Sequence, residues 1–187
     1  MRCAVSLSLV LTLALGCAPV QGFRPADGFM DGKTSEVGMG AAVLGPRPYV
    51  DERAHGVGQL WISKQVHKRV MLSGMGAFDV AAAALGGGLR LDVYKNRRVA
   101  TAVEAELGFA WAALVVPASV RLVGPARLYT GPRLGTRGVN WAVDVPVGIS
   151  MPLAGSWVVR AEYASSWVEL RNYQHRHLLG LAVAYQY

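Results

Sequence analysis

From Leu179 to Tyr187 the large and small residues alternate without a break. Leu179, Leu181, Val183, Tyr185 and Tyr187 occupy one parity; Gly180, Ala182, Ala184 and Gln186 occupy the other. A period of two puts the sets on opposite faces of an extended strand and rules out an amphipathic helix. One face is wholly apolar or aromatic, and the other is small or polar. The pattern recurs in Val99, Thr101, Val103, Ala105, Leu107, Phe109 and Trp111, against Ala100, Ala102, Glu104, Glu106, Gly108 and Ala110. It recurs again in Val139 to Met151, where the odd positions are apolar, and in Trp157 to Ala164. Weaker alternation covers Glu36 to Leu44, Val57 to Val66 with Arg69 to Phe78, and Gly86 to Tyr94.

Apolar residues make up 52% of the chain and charged residues 17%, and 22 residues are glycine. After Leu15 no run approaches the roughly 20 apolar residues of a spanning helix. So much apolar content without such a helix leaves a large soluble core or a lipid-facing barrel. The charges separate the two. Arg90, Asp92, Glu104, Glu106, Asp144, Arg160, Glu162 and Arg176 fall within strands, opposite the apolar face, with both signs mixed. Interleaved with Gly and Ala, they suit a narrow lumen in which each charge must find a partner. Trp111, Trp141, Trp157, Tyr185 and Tyr187 sit near strand ends on the apolar face, as interfacial girdles do.

The N-terminus reads as an export signal: Met1-Arg2 is a short basic region and Ala4 to Leu15 an apolar one. Two exits are open. Leu13 to Cys17 resembles a lipoprotein signal, with Cys17 lipidated, though Ala14 and Leu15 depart from the usual order of leucine and small residue. Cleavage after Gly22, behind Val20, is the competing exit, and the lipoprotein reading is placed ahead. Cys3 is lost either way, so no disulfide or cysteine metal site is expected in the mature chain. Residues 23–35 are aperiodic and rich in Gly, Asp and Pro, and read as a flexible leader; residues 36–187 read as one barrel domain.

Alternating strands, a lumen of mixed charges and a last strand closing on an aromatic residue resemble the small bacterial outer-membrane barrels of the OmpA-transmembrane or OmpX-like kind. The resemblance implies an all-β, antiparallel up-and-down transmembrane barrel of eight strands. Splitting the stretch Arg98 to Val123 into a hairpin near Phe109 to Ala113, and keeping the N-terminal pair, gives ten. It further implies a bacterial outer-membrane location, contact with membrane lipids and lipopolysaccharide, and recognition of the C-terminal strand by the barrel assembly machinery.

Sequence motifs for chemistry are few. No phosphate-binding loop, dinucleotide fingerprint, His-Glu-x-x-His or Gly-x-Ser-x-Gly occurs. Gly86-Gly87-Gly88 reads as a strand kink, and Pro117 and Pro146 read as bulge sites. His175-Arg176-His177 places two histidines on one strand face, with Ser165, Ser166 and Glu169 across a hairpin; a solvated loop end is the simpler reading. No metal or cofactor is expected, nor nucleic-acid binding. The net charge of +7 is assigned largely to loop residues, among them Arg53, Lys68, Arg97, Arg98, Arg133 and Arg137, facing an anionic outer surface. The expected role is structural or interactive at the surface. The alternatives are a rim-located lipid-modifying hydrolase or acyltransferase and a lipocalin-like soluble lipoprotein.

Overall fold

A computed structural model describes residues 23–26, 28–30, 32–45, 55–78, 83–109, 111–137, 140–168 and 174–187. The export signal with Cys17, most of the 45–56 loop including Arg53, Val139 and Glu169 lie outside these residues.

Twelve strand segments run in chain order: β1 (Ser35–Leu44), β2 (His55–His67), β3 (Val70–Phe78), β4 (Ala83–Lys95), β5 (Val99–Gly108), β6 (Trp111–Val115), β7 (Ala118–Arg121), β8 (Arg127–Thr130), β9 (Arg133–Arg137), β10 (Asn140–Pro152), β11 (Trp157–Val168) and β12 (Gln174–Gln186). Every pairing is antiparallel, and β12 pairs with β1 from Leu44↔Leu178 to Glu36↔Gln186. The sheet is therefore a closed barrel without a free edge, which in lipid is the only sheet that leaves no backbone group unpaired.

The barrel has ten staves, because β6 with β7 and β8 with β9 are the interrupted halves of single strands. The eight-strand expectation is thus corrected to its alternative. Across the first interruption β5 pairs with β6 and then β7 in one continuous register, from Glu104↔Val115 to Val99↔Val120. Pro117 and Pro132 remove ladder donors, but no residue is inserted, so the bulges expected at Pro117 and Pro146 are absent. The register shifts instead at Gln65/His67 and Asp92/Tyr94, each beside a turn.

Alternation holds round the wall. In β10 Trp141, Val143, Val147, Ile149 and Met151 are exposed, while Ala142, Asp144, Pro146, Gly148 and Ser150 are buried. In β11 and β12 the same parity turns Trp157, Tyr163, Trp167, Leu179, Leu181, Tyr185 and Tyr187 outward. These exposed apolar residues form a belt that water would penalise and hydrocarbon would accept. A closed antiparallel barrel wearing such a belt crosses a membrane.

One parity inverts. The chain reverses between β5 and β6 so that Trp111 pairs with Gly108. Directly opposed residues share a face, so Trp111 follows Gly108 inward; its relative exposure is 5%. The expected girdle role for Trp111 is corrected: the alternation runs through a hairpin, and the face changes where the direction does.

Candidate functional site: a filled lumen and a serine–histidine rim

Eight-stranded barrels are just filled by their own side chains. Ten staves enclose more space, and the chain fills it with residues from outside the sheet. Phe23, Arg24 and Ala26 are buried within the barrel, at 0%, 8% and 1% exposure. The segment read as a flexible leader is a plug. It descends from the level of Gly40 and Ala182, which Phe23 packs against, to Met30, whose N–H donates to Gln186 Oε1 at 2.7 Å, and passes into β1 beside Tyr187.

The plug is held by charge. Arg24 reaches Glu104 at 2.9 Å and Glu106 at 2.7 Å, and Arg90 donates to the Pro25 carbonyl at 2.6 Å. The Phe23 main-chain nitrogen donates to Glu162 at 2.9 Å, and the Tyr129 hydroxyl donates to the same oxygen at 3.0 Å. Phe23 stacks on Trp61 with ring centroids 5.9 Å apart.

A second group of polar residues ties the wall to itself. Glu36 accepts both guanidinium nitrogens of Arg160, at 2.8 and 2.5 Å, together with Trp61 Nε1 at 2.7 Å and Gln186 Nε2 at 2.6 Å. This fork geometry is the strong form of the pair, and it spans β1, β2, β11 and β12 where the barrel closes. Arg133 joins Glu106 at 2.6 Å and lies 4.9 Å over the Trp111 ring. Asp144 accepts from Ser166 Oγ at 2.6 Å.

Of the charges expected in the lumen, Arg90, Glu104, Glu106, Asp144, Arg160 and Glu162 are buried there. Asp92, 4.0 Å from Arg90, and Arg176 are only half-buried, towards opposite ends. Sequence reasoning missed Arg24, Glu36 and Arg133. Arg133 was assigned to a loop, yet it starts β9 facing inward. Its alternation with Leu134 and Gly135 was the available signal, masked by the preceding Gly-Pro.

Lumenal rings lie over glycines. Trp61 pairs with Gly38, Trp111 with Gly108 and Tyr129 with Gly148, and a Cβ on any of these glycines would come within 2.2, 2.0 or 2.4 Å of the ring opposite. The glycine run in β4 works likewise: Gly86 leaves room for Trp111 and Gly88 for the Glu104 carboxylate. The kink expected there is corrected to a space requirement.

Exposed aromatics gather toward both ends of the outer face. Trp157, Tyr185 and Tyr187 cluster at the end bearing the start of β1, with Trp157 and Tyr185 rings 5.1 Å apart. Trp141 and Trp167 lie toward the other end. Lys68, Arg97 and Arg98 are exposed on turns of the Tyr187 end. Short turns are periplasmic in outer-membrane barrels, and these cations, expected at the outer surface, share the short-turn end.

At the opposite rim, on the lipid face, Ser165 Oγ lies 2.6 Å from His175 Nε2. His175 stacks on Trp167 at 4.8 Å, meets His177 edge-on at 4.3 Å, and His177 Nδ1 hydrogen-bonds the Tyr163 hydroxyl. Hairpin register decides this grouping, because β11 and β12 pair Ser165 with His177 and Trp167 with His175. Ser166, expected beside them, points inward to Asp144. Among the described residues no three His, Cys, Asp or Glu side chains form a metal-binding group.

No family model and no curated protein matches the chain. Solved structures similar in fold include Ail, the attachment invasion locus protein of Yersinia pestis, at 10% identity and TM-score 0.43, covering 83% of this chain and 99% of that one. KdgM porin gives 10% identity and TM-score 0.48, covering 81% and 99%. Neisserial surface protein A gives 13% identity and TM-score 0.38, covering 82% and 97%. Like them, this chain is a small antiparallel β-barrel. Its own apolar belt, closed wall and polar interior are those of a bacterial outer-membrane protein, and the outer membrane is its location.

Proposed function

We propose that this protein is a closed outer-membrane barrel with a structural or surface-interaction role, not a pore. The observation that carries the reading is the plug: Phe23 to Ala26 fill the lumen and are pinned by Glu104, Glu106, Arg90 and Glu162. A solute could pass only by displacing buried ion pairs, each costly to leave unpartnered. The function then belongs to the outside. The apolar belt and its aromatic rims contact lipid and lipopolysaccharide, the strand ending at Tyr187 serves the assembly machinery, and the loops meet partners. Reconstitution into planar bilayers tests this: no steady conductance is expected, and stable open steps from the full-length barrel would overturn it.

A second reading rests on the Ser165–His175 pair, whose separation is that of a nucleophile and its general base. Placed at the rim beside lipid headgroups, it would cleave an ester of a membrane lipid. Comparing the lipid composition of cells carrying the wild type with cells carrying Ser165→Ala separates the readings: identical lipids favour the structural role, and an acyl chain removed only by the wild type favours the hydrolase.

A further inference from the structure

We infer that the mature chain begins at Phe23, and that its α-ammonium group pairs with the buried carboxylate of Glu162. Four observations converge. Phe23 is fully buried, and its main-chain nitrogen lies 2.9 Å from a Glu162 carboxylate that is itself only 1% exposed. The lumen is built to receive that residue: Gly40 has no side chain where a Cβ would come within 2.8 Å of the Phe23 ring, and Trp61 stacks on the same ring. The same Glu162 oxygen also accepts the Tyr129 hydroxyl at 3.0 Å, so the carboxylate is held in place facing that nitrogen. Finally, the residues before Phe23 carry the small-residue pattern of a cleavage site, with Val20 and Gly22 at the third and first positions upstream.

The chemistry is a peptide hydrolysis. Water adds across the Gly22–Phe23 bond, leaving a carboxylate on the released signal and an amine on Phe23, which is a cation at neutral pH. An amide N–H at the same place donates one hydrogen bond to the carboxylate and carries no charge of its own. The ammonium brings a full positive charge and two further donors to the same buried anion. Export processing and barrel closure are thereby linked: cutting after Gly22 creates the group that locks the plug inside the wall. On this reading Cys17, the lipidation site favoured from the sequence, leaves with the signal.

Intact-mass and N-terminal sequencing of the full-length protein extracted from the outer membrane read the start directly. An unlipidated chain beginning at Phe23 is expected, and a chain retaining Cys17, or starting elsewhere, overturns the inference. Cys17→Ala should give the same mature mass and the same membrane level; a loss of either also overturns it. Labelling with an α-amine-selective reagent near neutral pH then locates the terminus. Burial should slow reaction of the folded barrel about a hundredfold relative to the heat-denatured chain, since reaction must await local opening. Glu162→Gln, or the milder Glu162→Asp if the first fails to assemble, should remove most of that protection. Equal rates in folded and denatured protein, or full protection in both variants, would overturn the pairing.

Discussion

The outer face and the lumen are made from the same strands and follow opposite rules. On the outside, neighbours such as Val147, Ile149 and Leu181 need only be apolar, because lipid adapts to their shape and one aliphatic group replaces another at little cost. Inside, each residue has a named partner: Glu36 is encircled by Arg160, Trp61 and Gln186, and Arg24 bridges Glu104 and Glu106. The outer face therefore tolerates exchange among apolar residues, and the interior tolerates almost none. This contrast can be broken or sharpened by substitution.

The largest effect is expected where the two faces meet, in the closing strand. Removing Gln186 and Tyr187 deletes the amide that donates to Glu36, an interfacial ring of the Tyr185 belt and the last pairing with β1. An open edge in lipid leaves backbone groups unsatisfied at several kcal/mol each. Export should persist while the outer membrane is depleted of protein; normal levels with heat-modifiable gel migration would show that closure does not need these residues.

Next comes the buried fork. Arg160→Ala strands the Glu36 carboxylate and should destabilise the barrel by about 3–5 kcal/mol, as breaking one partner of a buried pair does. The double change Glu36→Gln with Arg160→Met removes both charges and should restore much of the loss. Urea titration of the barrel in detergent or lipid checks both, and equal damage from the double variant would argue that shape rather than charge matters there.

On the outer face the test is to insert what the interior requires. Val145→Arg, near the middle of β10, should cost about 2–4 kcal/mol in lipid, whereas Val147→Leu should change stability by less than about 0.5 kcal/mol. Asp144→Asn, adjacent but lumenal, keeps an acceptor for Ser166 and should cost less than Val145→Arg. Scanning cysteine labelling with a lipid-confined reagent should mark positions 141 to 151 only at odd numbers, and labelling at even positions would invert the assignment of faces.

The smallest effect is expected at the rim. Ser165→Ala removes a 2.6 Å contact to His175 on a partly exposed surface and should leave assembly and denaturation midpoints nearly unchanged. A marked loss of stability would give the Ser–His row a structural purpose instead of a chemical one.

The β class, the two faces and the lumenal placement of Arg90, Glu104, Glu106, Asp144, Arg160 and Glu162 were legible in the sequence, because a strand's facing is a local property with a period of two. Local rules fail where the chain reverses or leaves the sheet. Trp111 has outward parity only if β5 continues through Phe109, and the hairpin that turns the ring inward also raises the stave count to ten. The added width demands filling, and Phe23 to Ala26 supply it without any period to announce them. Arg133 and Glu36 became lumenal partners through contacts formed across neighbouring staves and the closing seam. Periodicity along one strand determined which way each side chain points. Closure of the whole sheet, with the volume it encloses, decided what must fill the middle and which distant charges meet there.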